Sequence, residues 1–272
     1  EVGALTTAQV AAINSDQLDG LTTAGVVALT TAQVAALKSD QVVSLNTDQL
    51  RAIETGDIKS LSTVALRALD TDQVNALTSN QLQSLTSAQI SSLPSAPQVS
   101  ALSTGNLNVL TTDQLSKFTT AQVKALTTEQ IANLTTGNLN ALGTAQFAAL
   151  NSDQVAALTT AQLSKLETAD LRAITTGALA GLNSDHIKAL STDEVAALTT
   201  GQIAAINSDQ LDGLTTAGVV ALTSAQVATL KSDQLTSLNT DQLRAIETGD
   251  IKAVTTTALR ALDTDQVNAL TS

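Results

Sequence analysis

The 272-residue chain contains no Cys, Met, Trp or Tyr, and only two Phe, two Pro and one His. Without Cys there is neither a disulfide nor a thiolate metal site, and the redox compartment is left open. The near absence of aromatics argues against an ordinary enzyme core, which would normally use them at this chain length. No apolar run approaches the ~18 residues that a membrane-spanning helix needs, because Thr, Ser, Asp and Gln keep returning. No signal peptide is visible. Thirteen Lys and Arg stand against 25 Asp and Glu, a net charge of -12. That balance repels nucleic acid and anionic lipid, so neither is expected as a partner. With Met missing even at position 1, Glu1 is not expected to be a natural start, and the chain reads as a processed product or a fragment. A hydrophobic content of 43% in strict register exceeds what a solvated, disordered tail carries.

What is present is a repeat. Counting from Leu5, a large apolar anchor returns every eighth residue (Ile13, Leu21, Leu29, Leu37 and onward to Leu270), 34 anchors in all, and two positions after each stands a Ser or Thr without exception. The register slips once, by one residue, between Leu93 and Leu102. Written from the anchor, the octad is L-T-T-[AD]-Q-[VLI]-x-A, with Leu29 to Ala36 a clean copy. Position 6 is always apolar, and position 8 is nearly always Ala, Ser or Gly. Such a period dictates an array whose units contact only their neighbours.

The charges indicate which local structure the octad forms. Seventeen of the 25 carboxylates sit at positions 4 or 5, among them Asp16, Asp40, Asp48, Asp57, Asp72 and Asp113. Nine of the 13 basic residues sit at position 7, including Arg51, Lys59, Arg67 and Arg172. Acid first and base last is the order that suits a helix dipole. The invariant Ser/Thr at position 3 is expected to be the N-cap, its hydroxyl accepting an otherwise orphaned amide. The helix then runs from position 4 to the next anchor, about six residues at ~3.6 per turn, with position 2 as an exposed hinge. The predicted fold is therefore an all-α solenoid of short Ser/Thr-capped helices, one per octad. A β-solenoid is the competing reading, supported by the Thr and Val content; anchors at positions 1 and 6 break a two-residue alternation and count against it.

A six-residue helix is not stable alone in water, so the octads must stack. The expected solenoid carries anchors and position-6 residues inside, small position-8 residues at tight corners, and Gln at position 5 forming side-chain hydrogen bonds between coils. Gly at position 4 (Gly56, Gly105, Gly137, Gly177, Gly201, Gly249) recurs with a weak preference for every third octad, which favours three octads per turn.

Residues 13 to 79 return at 206 to 272 with eight substitutions, an offset of 193. We read the chain as one continuous array, 1–272, holding a 193-residue unit (1–193) and part of the next (194–272), with a one-residue insertion at 94–101. The insertion holds both prolines: Pro94 at the hinge and Pro97 in the first helical turn, where a missing N–H costs little. It reads as a local bulge or bend.

No constellation for catalysis or metal binding is found, and no catalytic, cofactor-binding or metal residue is assigned. His186, the sole His, takes a place usually held by Gln and reads as a substitute for a surface or cap-side amide. Asp193 and Glu194 are adjacent acids that do not converge on one helix face. Phe118 and Phe147 read as oversized core residues. Asn133-Leu134-Thr135 matches a glycosylation sequon, as chance alone would produce in so Thr-rich a chain.

The units Leu126-Thr127-Thr128-Glu129-Gln130-Ile131 and Leu158-Thr159-Thr160-Ala161-Gln162-Leu163 resemble the LTTxQ octapeptide arrays of very large bacterial secreted or cell-surface, adhesin-like proteins. The resemblance spans essentially the whole chain and implies an extracellular or cell-surface location. It transfers no active residue. The expected function is that of a non-enzymatic structural repeat protein, a rigid rod, stalk or filament subunit whose partners are its own kind or neighbouring repeats of a longer chain. The alternative is an adhesin or a ligand- or ice-binding module.

Overall fold

A computed structural model describes residues 2–270. These residues form α-helices of four to six residues, one to an octad, with short 3-10 turns at Val2–Ala4 and Ile251–Ala253. No strand occurs among the described residues, which removes the β-solenoid reading.

The helices start one residue earlier than the sequence suggested. Thr30, at position 2, is the N-cap of Thr31–Ala35, and Thr119 is the N-cap of Thr120–Ala125. The invariant Ser/Thr at position 3 occupies the first helical position, its side chain mostly exposed. The reason lies in position 5. A cap side chain bonds the amide three residues on, so a cap at position 2 meets the Gln at position 5 and the two close a reciprocal box. In Thr120–Ala125, the Gln122 N–H donates to Thr119 Oγ1 at 3.1 Å and the Thr119 N–H donates to Gln122 Oε1 at 2.8 Å. Asn and Asp serve equally as caps, as at Asn46 and Asp70. Lys38, Glu54 and Gly143 stand at the same place with no side-chain cap bond. In those octads Gln41 and Gln146 still accept the position-2 N–H, so the box tolerates the loss of half of itself.

The chain forms two compact units, residues 1–142 and 143–272. In the first, Ser39–Ser44 packs on Thr63–Ala68 and Thr47–Ala52 on Thr71–Ala76. In the second, Thr168–Ala173 packs on Thr192–Ala197 and Ser184–Ala189 on Ser208–Leu211. Each helix thus rests on the third helix along, and a coil consists of three octads, the number that the Gly spacing favoured. From Leu29 to Val254 every anchor is buried, as is every position-6 residue from Val10 to Leu243. Positions 2 to 4 and position 7 face outward in most octads, which completes a period of buried and exposed sites matching the octad itself. Burying one Leu and one Val or Leu per octad contributes about 3 to 5 kcal/mol before chain entropy is set against it.

Two positions are shaped by how closely the coils approach. A Cβ on Gly181 would lie 2.0 Å from the Ser152 carbonyl oxygen, and one on Gly213 would lie 2.2 Å from that of Ser184. Both are position-8 glycines pressed against the first helical turn of the preceding coil, as the tight-corner expectation required. Phe118 and Phe147 are buried, in the core roles expected of them.

The insertion is absorbed without breaking the coil. Residues Ser95–Val99 make a single wide turn in which the Val99 N–H donates to the Pro94 carbonyl at 3.2 Å, and Ala96 leaves helical geometry. Gln98 regains register and bonds the backbone of Arg67 and Leu69 in the preceding coil. Its Oε1 is nevertheless buried without a partner. Elsewhere that atom accepts the position-2 N–H; here position 2 is Pro94, which has none.

A candidate functional surface and its polar seam

The side chain that organises the molecule is the Gln at position 5. In Gln122 the Oε1 closes the box of its own helix, while Nε2 donates to the carbonyls of Ile90 and Leu93, at 2.9 and 2.8 Å, one coil earlier. Gln41 reaches Val10 and Ile13 at 2.9 and 2.7 Å, and in the second unit Gln202 reaches Leu171 and Ile174, both at 2.9 Å. Each such Gln is buried and has its amide satisfied on both sides, so it joins a helix start to the helix ends beneath it. Every bond in this set is worth about 1 kcal/mol net, but a buried carbonyl left without its donor costs ~1 to 3. The inter-coil role expected of Gln is thus present; the cap-box role was missed because the cap was placed one residue late.

Two octads carry Asn at position 5, one methylene too short for both tasks. Asn106 Nδ2 still donates to the preceding coil, at the Asn75 carbonyl, at 3.0 Å. The Ser103 N–H is taken by Asn75 Oδ1 at 2.8 Å. Asn138 and Asn108 repeat the exchange: Asn138 Nδ2 meets the Asn108 carbonyl at 3.0 Å, and the Thr135 N–H donates to Asn108 Oδ1 at 3.0 Å. An Asn at position 7 of one coil therefore compensates for an Asn at position 5 of the next. The signal lay in the sequence as paired departures from the repeat, but nothing there marked the partners as neighbours.

Titratable groups replace the Gln at several places. Asp57 accepts from the Thr31 hydroxyl and Asp250 from the Ser224 hydroxyl, both one coil earlier. Asp170 is buried, and its pKa rises from 3.8 to about 6, first because burial removes solvent and then because the Glu167 carboxylate stands nearby. Glu194 is buried and accepts the Ser191 N–H at 2.6 Å, whereas its neighbour Asp193 is exposed. The two acids do not converge, in keeping with the sequence reading.

His186 sits on the cap side, as expected, but in the interior rather than at the surface. Its Nδ1 accepts the Asn183 N–H at 3.1 Å, and Asn183 Oδ1 accepts the His186 N–H at 2.9 Å. Burial lowers its pKa below 6.5; the nearby Leu158 backbone and the Asp185 charge oppose that shift more weakly.

The outer surface offers little chemistry. One recess is an open polar groove of about 410 Å³ lined by Asp185, Lys188, Asp212, Gly213 and Asp241. Its acids and its Lys are solvated, and no nucleophile is paired with a base. Two exposed ion pairs, Asp48–Arg51 at 3.9 Å and Asp241–Arg244 at 3.1 Å, are i,i+3 contacts of small value. Of the sequon, the Thr135 hydroxyl accepts the Asn138 N–H as a cap, and Asn133 Nδ2 donates to the Glu129 carbonyl at 2.9 Å. Among the described residues no cluster of three or more His, Cys, Asp or Glu could hold a metal ion, and no helix is long and apolar enough to cross a membrane.

No curated protein matches the chain. A repeat-family model, described as the ALTTAQ repeat, matches eight times: at residues 1–31, 24–52, 50–87, 99–136, 136–166, 163–200, 203–240 and 243–272. The stretch it leaves out between 87 and 99 is the one containing the insertion. With its Ala-Leu-Thr-Thr-Ala-Gln units capped by Thr and seamed by Gln from coil to coil, the chain belongs to the ALTTAQ repeat family.

Proposed function

We propose that this array is a structural repeat segment of a secreted or cell-surface protein, serving as a rigid, acidic, non-enzymatic rod, stalk or filament subunit. The observation that carries this reading is the use made of buried polar groups. Gln33, Gln41, Gln49 and their counterparts are spent on joining coil to coil. A design in which each coil adds a fixed rise makes reach a matter of copy number. Chains carrying one, two and three 193-residue units, imaged by electron microscopy, should lengthen in equal steps at constant width. Particles that thicken without lengthening would overturn the reading. In native material, isolated thin shafts favour a stalk and a helical lattice favours a filament.

A second reading, an adhesin or a ligand- or ice-binding module, is favoured by one observation. The cap lies at position 2, so the hydroxyls at position 3, invariant in the sequence and mostly exposed, are free of capping duty. An ice-recrystallisation assay showing no inhibition by the purified chain would dismiss its ice-binding form.

A further inference from the structure

We propose that the cap contact made by His186 is an acid-opened latch at the start of Ser184–Ala189, a place where gaining one proton undoes a helix box that Gln closes permanently in most of the array. The argument begins with the shape of the neutral ring. An imidazole with a lone pair on Nδ1 and a hydrogen on Nε2 offers one acceptor and one donor, as a Gln amide offers Oε1 and Nε2. Here Nδ1 accepts the Asn183 N–H at 3.1 Å, the place that Gln Oε1 fills in most other octads. The cap-side contact made by Gln122 or Gln202 is thereby reproduced. Asn183 Oδ1 completes the box by accepting the His186 N–H at 2.9 Å.

Protonation cannot be accommodated there. A hydrogen on Nδ1 would point at the Asn183 N–H, donor against donor, at a side chain only 8% exposed. An amide cannot respond in this way, because it gains no proton in the physiological range. The helix Ser184–Ala189 packs on Thr160–Leu163 below and Ser208–Leu211 above. The charged groups on these three segments and just beyond them are Asp185 and Lys188 on its own helix, Lys165 after the lower one, and Asp209 and Asp212 on and after the upper one. Asp185 favours the imidazolium, but burial outweighs it. The sign follows from linkage: the folded state prefers neutral His186, so this contact's stability is complete above 6.5 and is lost as pH falls below it. Asp170, in the same compact unit, runs the other way and favours the folded state more as pH falls through about 6. A substitution at residue 186 is therefore needed to isolate the latch.

The experiment is hydrogen exchange by mass spectrometry on the full chain at pH 7.5 and pH 5, corrected for intrinsic rates, with His186→Gln as the control. Gln occupies this position in most other octads, so the variant keeps the fold. The expected result is a loss of protection at pH 5 in peptides spanning 182–190 of the unmodified chain and no such loss in His186→Gln. Ring nitrogen shifts at pH 7.5 should report the tautomer with hydrogen on Nε2. Equal loss in both proteins, no loss in either, or a ring protonated on Nδ1 at pH 7.5 would each overturn the proposal.

Discussion

Residues 29–52 and residues 166–197 follow the same octad, with anchors and position-6 side chains buried in both, but their seams differ. The first stretch sets Gln33, Gln41 and Gln49 in succession at position 5, and each donates to the coil before it. The second has Asp170, Ala178, His186 and Glu194 at the same four consecutive places, more than one full coil without a Gln. Their coils still stack, as Thr168–Ala173 does on Thr192–Ala197. Apolar burial and helix capping are thus enough to form a coil, whereas the Gln makes its joint insensitive to conditions. Where Asp170 or His186 takes the place of Gln, stability is exposed to pH.

The largest effect should come from breaking the regular seam. Gln41→Ala removes the acceptor for the Lys38 N–H and the donor to Val10 and Ile13, and should cost about 3 kcal/mol, read as a lower denaturation midpoint and as lost protection across residues 10–13 and 38–45. A cost near zero would mean that water replaces the amide and that the seam is not what joins the coils.

Next in size is the corner. Gly181→Ala sets a Cβ against the Ser152 carbonyl and should cost about 2 kcal/mol through forced separation of the coils, measured by chemical denaturation.

The titratable seam should respond in the opposite sense at neutral pH. Because the pKa of Asp170 is raised to about 6, its ionisation costs stability as pH rises through the range from 3.8 to 6. Asp170→Asn should therefore stabilise the second unit at pH 7 by ~1 kcal/mol, a figure reduced for partial solvent screening, and the gain should vanish near pH 4. Denaturation midpoints across that range would show whether the two curves converge at low pH.

The smallest change sharpens the contrast between glycines. Nothing lies within 4 Å of where a Cβ would stand on Gly177, in the first turn of Thr176–Leu179. Gly177→Ala should stabilise by about 0.5 kcal/mol through reduced freedom of the unfolded chain, visible as a small rise in melting temperature.

Much of this architecture was legible in the residues. The octad, the helix implied by acids at positions 4 and 5 and bases at position 7, the buried anchors and the inter-coil use of Gln all follow from periodicity and charge order. The cap escaped because Thr30 and Thr31 are chemically alike, so only the three-residue reach to Gln33 distinguishes them. The pairing of Asn75 with Asn106 and of Asn108 with Asn138 escaped for a different reason, since their separation in sequence has meaning only once three octads make a coil.

The amino-acid sequence by itself determined what repeats, which side chains are buried and that each unit is too short to stand alone, because these depend on local spacing and composition. The tertiary structure decided which hydroxyls cap and which stay exposed, which glycines are obligatory, and that His186, Asp170 and Glu194 lie inside the seam rather than on the surface. The caps depend on a three-residue reach that only the folded geometry singles out, and the close glycines and buried titratable groups depend on what the neighbouring coils bring against each residue.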